Sequence, residues 1–198
     1  METAILVRHG ESWFSIEGRV NGDPSVDRGL TEAGREQAAA LGILIRDDPI
    51  DLCVITEFKR THETAQIALA GRDVPRLVLP ELDDIRFGSF ENGAFTEYIR
   101  WAHSHGPTEE APGGGESRVD AARRFVVGYR QVLERPEATV LVIGHGLPLR
   151  YVLSALVELD PVAKVDPVEH AEPFRVSAAQ LERAVERLEA WTENPVFA

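Results

Sequence analysis

The sequence predicts an α/β fold, a three-layer α/β/α sandwich with a mostly parallel central sheet, on three observations. Short apolar, partly β-branched runs at 4–7, 51–55 and 139–143 break off at polar clusters, as strands buried on both faces do at their carboxyl ends. Stretches with helically spaced apolar residues separate these runs, and strands alternating with helices call for parallel pairing through right-handed crossovers. No repeat, low-complexity tract or linker interrupts the chain, so residues 1–198 are expected to form one domain.

The first strand, 4–7, delivers Arg8, His9, Gly10 and Glu11 to its carboxyl end. Residues 13–27 mix Ser, Gly, Asn, Asp and Pro without a period and read as a long loop over that strand end, a place where long loops are usually functional. A helix follows to about Arg46, with Thr31 as cap, Glu32 at the positive dipole end, and Ala38, Leu41 and Ile45 as its apolar stripe. Pro49 separates it from the strand 51–55, and a helix from near Lys59 to about Ala70 places Arg60 at a strand-to-helix junction, where anions bind. Residues 76–79 form a third short strand. The acidic, aromatic, glycine-containing stretch 80–93 reads as a site wall. A helix is expected at 95–104, then a flexible loop at 105–115 with three consecutive glycines; no Gly-Lys-Ser/Thr follows them, so a hinge or tight turn is expected instead of a phosphate loop.

Ser117 caps a helix to about Glu134 with Val119, Phe125, Val126, Tyr129 and Val132 inward. The run 139–143 is the clearest strand in the chain, and it ends in Gly144-His145-Gly146, repeating the opening pattern of strand, histidine, glycine. A helix over 147–159 takes Pro148 in its first turn. Residues 160–172 read as loop and 174–176 as a short edge strand, able to pair with a second copy of the chain. Ser177 caps a last amphipathic helix, 178 to about Trp191, with Leu181, Val185 and Leu188 inward.

Composition narrows the function classes. With 43% apolar and 27% charged residues the chain has the makings of a core, and its formal net charge of −12 disfavours nucleic-acid partners, since no cationic run offsets it. The single cysteine, Cys53, lies in an apolar strand and reads as a small buried hydrophobe. No leader is seen and no apolar stretch nears the roughly 20 residues of a membrane span, so a cytoplasmic protein with no membrane partner is expected. His103 and His105 diverge on a helix and do not make a metal pair; His62 and His170 read as solvated surface.

The fold brings Arg8, His9, Arg60 and His145 to one end of the sheet. Phosphoryl transfer needs a nucleophile in line with the breaking bond, positive donors around the equatorial oxygens and an acid for the leaving oxygen. The histidines and arginines supply the first two. A carboxyl group of the 80–93 wall supplies the third.

Arg8-His9-Gly10-Glu11-Ser12, Leu30-Thr31 with Gly34 and Gln37-Ala38, Arg60 with Thr64-Ala65, Phe87-Gly88 with Glu91, Gly115-Glu116-Ser117 and His145-Gly146 together resemble the histidine phosphatase superfamily, which includes the cofactor-dependent phosphoglycerate mutases and many small phosphatases. The resemblance covers residues 3 to about 155. It implies a phosphoglycerate mutase-like fold, a phosphohistidine on His9, and a phosphoryl group held by Arg8, Arg60 and His145, with Gly146 beside it. Three positions depart from the family pattern. Asp84 stands where a glutamate protonates the leaving group, with Glu81 and Asp83 as competitors for that role, Ser15 where an asparagine donates to the phosphoryl group, and Gly144 where a serine or threonine precedes the histidine.

The expected activity is therefore a phosphatase that hydrolyses small phosphate monoesters through His9, with no metal and no cofactor. The alternatives are a phosphoglycerate mutase, usually a longer chain, and a non-catalytic binder of phosphate esters or phosphoproteins.

Overall fold

The computed structural model describes residues 1–198. Five strands, β1 (Thr3–Arg8), β2 (Leu52–Ile55), β3 (Arg76–Val78), β4 (Thr139–Gly144) and β5 (Pro173–Ser177), form one sheet in the order β3-β2-β4-β1-β5. All pairings are parallel except β1 with β5, which is antiparallel. The seven helices are α1 (Trp13–Ile16), α2 (Glu32–Leu44), α3 (Lys59–Ala68), α4 (Phe95–Ser104), α5 (Arg118–Leu133), α6 (Gly146–Leu156) and α7 (Ala178–Glu193).

Side-chain alternation along the central strands explains the three layers. Ile5, Val7, Cys53, Ile55, Leu141 and Ile143 point to one face, where Leu41, Ala65 and Ala68 of α2 and α3 cover them. Ala4, Leu6, Leu52, Val54, Val140 and Val142 point to the other, under Phe125, Val152 and Val185 of α5, α6 and α7. Since both faces are covered, β2 and β4 contain no exposed residue, and each reads as a continuous apolar run. Burial pushes the Cys53 thiol up to about 12, consistent with an inert core residue.

Register positions the site. Arg8 pairs with Gly144, so the next residue of each strand, His9 and His145, leaves the sheet at the same level. The turn after β1 is packed against the start of α2 so closely that a Cβ at Gly34 would collide with the Glu11 carbonyl, and one at Gly10 with the carbonyl of Gly34. Thr31 caps α2 as expected, accepting from the Gly34 amide at 3.0 Å.

Several expectations need correction. Residues 13–27 are not loop throughout: Ser12 and Ser15 form a reciprocal capping box that starts the one-turn helix α1, and a second short helical turn occupies Pro24–Val26. Elements this short carry no periodic signal. The 80–93 wall contains helical turns at Pro80–Leu82 and Gly88–Phe90. The three glycines do form the expected tight turn, with φ +76° at Gly113 and +81° at Gly114. The segment 160–172 crosses the carboxyl end of β1, burying Val168 and Ala171.

Candidate active site

At the end of β1, the His9 ring is 4% exposed, and its Nδ1 lies 2.7 Å from the Gly10 carbonyl oxygen. A carbonyl oxygen only accepts, so Nδ1 carries the proton and Nε2 keeps its lone pair. Arg60 Nε donates to that nitrogen at 3.2 Å. Burial and the charges of Arg60 and Arg8 hold the His9 pKa well below the usual imidazole range, so the ring is neutral.

His145, at the end of β4, has the opposite tautomer. Arg60 Nη2 donates to its Nδ1 at 3.2 Å, which leaves Nε2 to donate to Thr56 Oγ1 at 2.9 Å. It is fully buried, its ring centre lies 5.3 Å from that of His9, and burial followed by Arg60 depresses its pKa well below the ordinary value. Arg60 thus lies between the two imidazoles. Its own position is fixed by the Asp27 carboxylate, 3.4 Å from Nη1 and accepting the Arg60 amide at 2.9 Å, by the Asn21 side-chain oxygen at 2.6 Å from Nη1, and by the Phe58 ring 4.1 Å below. Asp27 and Asn21 lie in the aperiodic stretch, far from Arg60 in sequence, and no local signal marks them.

Arg8 Nη1 donates to the Val168 carbonyl at 2.6 Å, while its Nε is buried without a partner. Two chambers, about 310 and 230 Å3, meet at Arg8, His9 and Asp84. Of the three candidate acids only Asp84 lines them. Asp83 points elsewhere, accepting from the Glu57 amide, with its carboxyl pushed up to about 7 by burial. The Asp84 carboxyl is 19% exposed, has its Oδ2 3.7 Å from Arg60 Nη2 and 3.8 Å from His145 Nδ1, and is held above the usual carboxylate range by burial, against the pull of Arg60. Arg124 steadies the backbone there by donating to the Asp83 and Asp84 carbonyls at 2.9 and 3.0 Å, and is itself paired with buried Glu116.

Ser15 lines the smaller chamber, but its hydroxyl donates to the Ser12 carbonyl at 2.8 Å as part of the α1 cap. Gly146 opens α6 beside Arg8, so the positive end of that helix faces the cavity. No side-chain atoms fill the space beside Gly144, where the family pattern has a hydroxyl residue.

His170 is not solvated surface. Its Nδ1 donates to the His9 carbonyl at 2.7 Å, its ring lies 5.4 Å from the His9 ring, and burial lowers its pKa to about 4. His62 is half-buried and bonds to the Thr56 carbonyl at 2.9 Å. The loop 105–115 does not border the chambers; α4, through Phe95, Tyr98, Ile99 and His103, and the segment 164–168 take that place, together with Arg118 at the start of α5. Hydropathy could not single these out, because their apolar members look like ordinary core. No group of His, Cys, Asp and Glu side chains converges as a metal ion would require.

Residues 4–194 match the family model described as histidine phosphatase superfamily (branch 1). An adenosylcobalamin/alpha-ribazole phosphatase of Salmonella typhimurium is 42% identical over 86 residues, a match that spans 43% of this chain and 42% of the length of that protein. A 2,3-bisphosphoglycerate-dependent phosphoglycerate mutase of Gloeobacter violaceus is 33% identical over 190 residues, covering 87% of this chain and 84% of that one. Among solved structures, YhfR of Bacillus stearothermophilus superposes with a TM-score of 0.76 at 28% identity, covering 87% of this chain and 89% of that one. No helix is long and apolar enough to cross a membrane.

Proposed function

This chain belongs to the histidine phosphatase superfamily, and on that premise we propose that it hydrolyses small phosphate monoesters through a phosphohistidine on His9. The observation that carries the proposal is the tautomer of His9: Nδ1–H is tied to the Gly10 carbonyl, and the Nε2 lone pair lies among Arg60, Arg8 and Asp84 on one cavity.

The ester enters with its phosphoryl oxygens facing Arg8, Arg60 and the α6 N-terminus at Gly146, and one of these oxygens takes over the Arg60 Nε hydrogen now donated to His9. Nε2 of His9 attacks phosphorus, the bond from phosphorus to the leaving oxygen breaks, and the Asp84 proton passes to that oxygen. His145, neutral and anchored to Thr56, keeps Arg60 in place. In the second half the Asp84 carboxylate takes a proton from water, the resulting hydroxide attacks phosphorus, the bond to Nε2 breaks and inorganic phosphate leaves. Positive charge on the equatorial oxygens comes from Arg8 and Arg60, so the chemistry needs no metal ion.

A rapid-quench experiment with a 32P-labelled aryl or alkyl phosphate tests this. Acid-labile label on His9 that decays to inorganic phosphate, and is missing in His9→Ala, is the expected result. The likeness to the Gloeobacter mutase favours a second reading, transfer of the phosphoryl group to a second hydroxyl, and label passing to an added glycerate-type acceptor instead of water would establish it. Absence of any label on the wild-type chain would leave a binding protein.

A further inference from the structure

The larger chamber has an unmatched charge at its far wall. Arg118, the first residue of α5, is only 5% exposed and lines this space along with Phe87, Phe95, Ile99 and Leu147. Its Nη1 donates to the neutral Tyr151 hydroxyl at 3.2 Å, and its Cζ lies 5.8 Å from the Tyr98 ring. Its Nε has no partner, and neither has the buried Tyr98 hydroxyl next to it. Although the chain holds 33 acidic residues, none pairs with this guanidinium. Asp120, in the same first turn, is engaged by Ser117 and Arg123, while Asp84 faces Arg60 and His145. Asp166, Lys164 and His103 border the chamber at its exposed mouth.

Burial of an unpaired cation is costly, and this one sits at the positive end of a helix, where the dipole repels it further. An anion from outside the chain would relieve both penalties. A carboxylate suits the site, because its single charge matches the single buried guanidinium, whose planar fork can grip it in bidentate fashion.

We propose that Arg118 binds a carboxylate on the leaving group of the substrate, so that the preferred substrates are phosphate monoesters of hydroxy acids with an apolar, ring-sized body between ester and carboxylate. This rests on the phosphatase reading for the phosphate end. The ester lies at His9, the apolar body against Phe87, Phe95 and Ile99, and the carboxylate at Arg118 with the Tyr98 hydroxyl donating to it.

Unreactive phosphonates test the assignment without turnover. Binding of 4-carboxybenzylphosphonate, its carboxamide analogue and plain benzylphosphonate is measured by calorimetry on the wild-type chain, Arg118→Met and Arg118→Lys. The carboxylate compound should bind the wild type about 10-fold more tightly than the carboxamide, because the amide leaves the cation unpaired. Arg118→Met should erase that preference while binding of benzylphosphonate stays within about threefold, and Arg118→Lys should retain part of it. Equal binding of acid and amide by the wild type, or equal weakening of all three compounds in Arg118→Met, would overturn the assignment and leave the phosphate site intact. Failure of every phosphonate to bind the wild type would overturn the phosphate site as well.

Discussion

A single proton on Nδ1 decides what His9 can do, and the atom that holds it there is a backbone carbonyl, one no side-chain substitution can remove. The roles of its neighbours are open to mutation. Asp84→Asn should lower kcat/KM for alkyl phosphates by about 10²-fold or more while leaving kcat/KM for activated aryl esters nearly unaffected, since in the first half-reaction only poor leaving groups need a proton. The same acid predicts a pH limb. As pH rises through the elevated Asp84 pKa, kcat/KM for alkyl esters should fall, and kcat/KM profiles should lose that limb in Asp84→Asn and with aryl esters. Asp27→Ala removes the fully buried carboxylate that fixes Arg60 and should lower stability by about 3 kcal/mol, read from urea unfolding, since the buried cation loses its better-placed carboxylate partner and keeps only Asp84 at 3.7 Å. His9, Arg8, Arg60 and His145 were legible because strand ends announce themselves. Asp27, Asn21 and Arg118 were not, because their meaning depends on partners that only folding brings near.

The segment carrying Asp84, the proposed acid, has little regular structure and is held by α5. Arg124 reaches from that helix to the carbonyls of Glu81, Asp83 and Asp84, and Glu116 takes both the Arg124 guanidinium and the Arg86 amide. Glu116→Gln should therefore lower kcat for alkyl esters by about 10-fold with little change in KM, and quicken hydrogen exchange at Ile85 and Arg86, the signature of a displaced acid and not of a lost contact to substrate. At the end of β4, Gly144 has an ordinary backbone and open space around its Cα, so Gly144→Ala should stabilise the fold by about 0.4–1 kcal/mol in thermal unfolding. Most elements were readable. Apolar runs gave β1, β2 and β4, and caps at Thr31, Ser117 and Ser177 gave the starts of α2, α5 and α7. The one-turn helix α1 escaped because four residues are too few to show a period; 160–172 is loop as expected, but a segment without regular structure does not reveal what it covers.

Across the whole molecule, buried histidines and buried acids oppose each other in pH. His9, His145 and His170 have folded pKa values below the unfolded 6.5, so the unfolded chain takes up protons that the native one refuses, and stability falls as pH drops below about 6.5. Asp83 and Asp84 have raised values, so their contribution is present below 3.8 and is lost as pH rises, fully for Asp83 by about 7. His170→Asn should remove one proton from this balance: between pH 4 and 6.5 its unfolding midpoint in urea should vary less steeply with acidification than that of the wild type. The reversal of β5 against β1 has a consequence for biosynthesis. It carries the late residues Val168, His170 and Ala171 back over the first strand, where they bond to Arg8 and His9. A nascent chain still on the ribosome carries Arg8 and His9 well before the Val168 carbonyl, the His170 ring and the Ala171 amide that bond to them, so this side of the proposed site is completed only after residues 168–171 have been made.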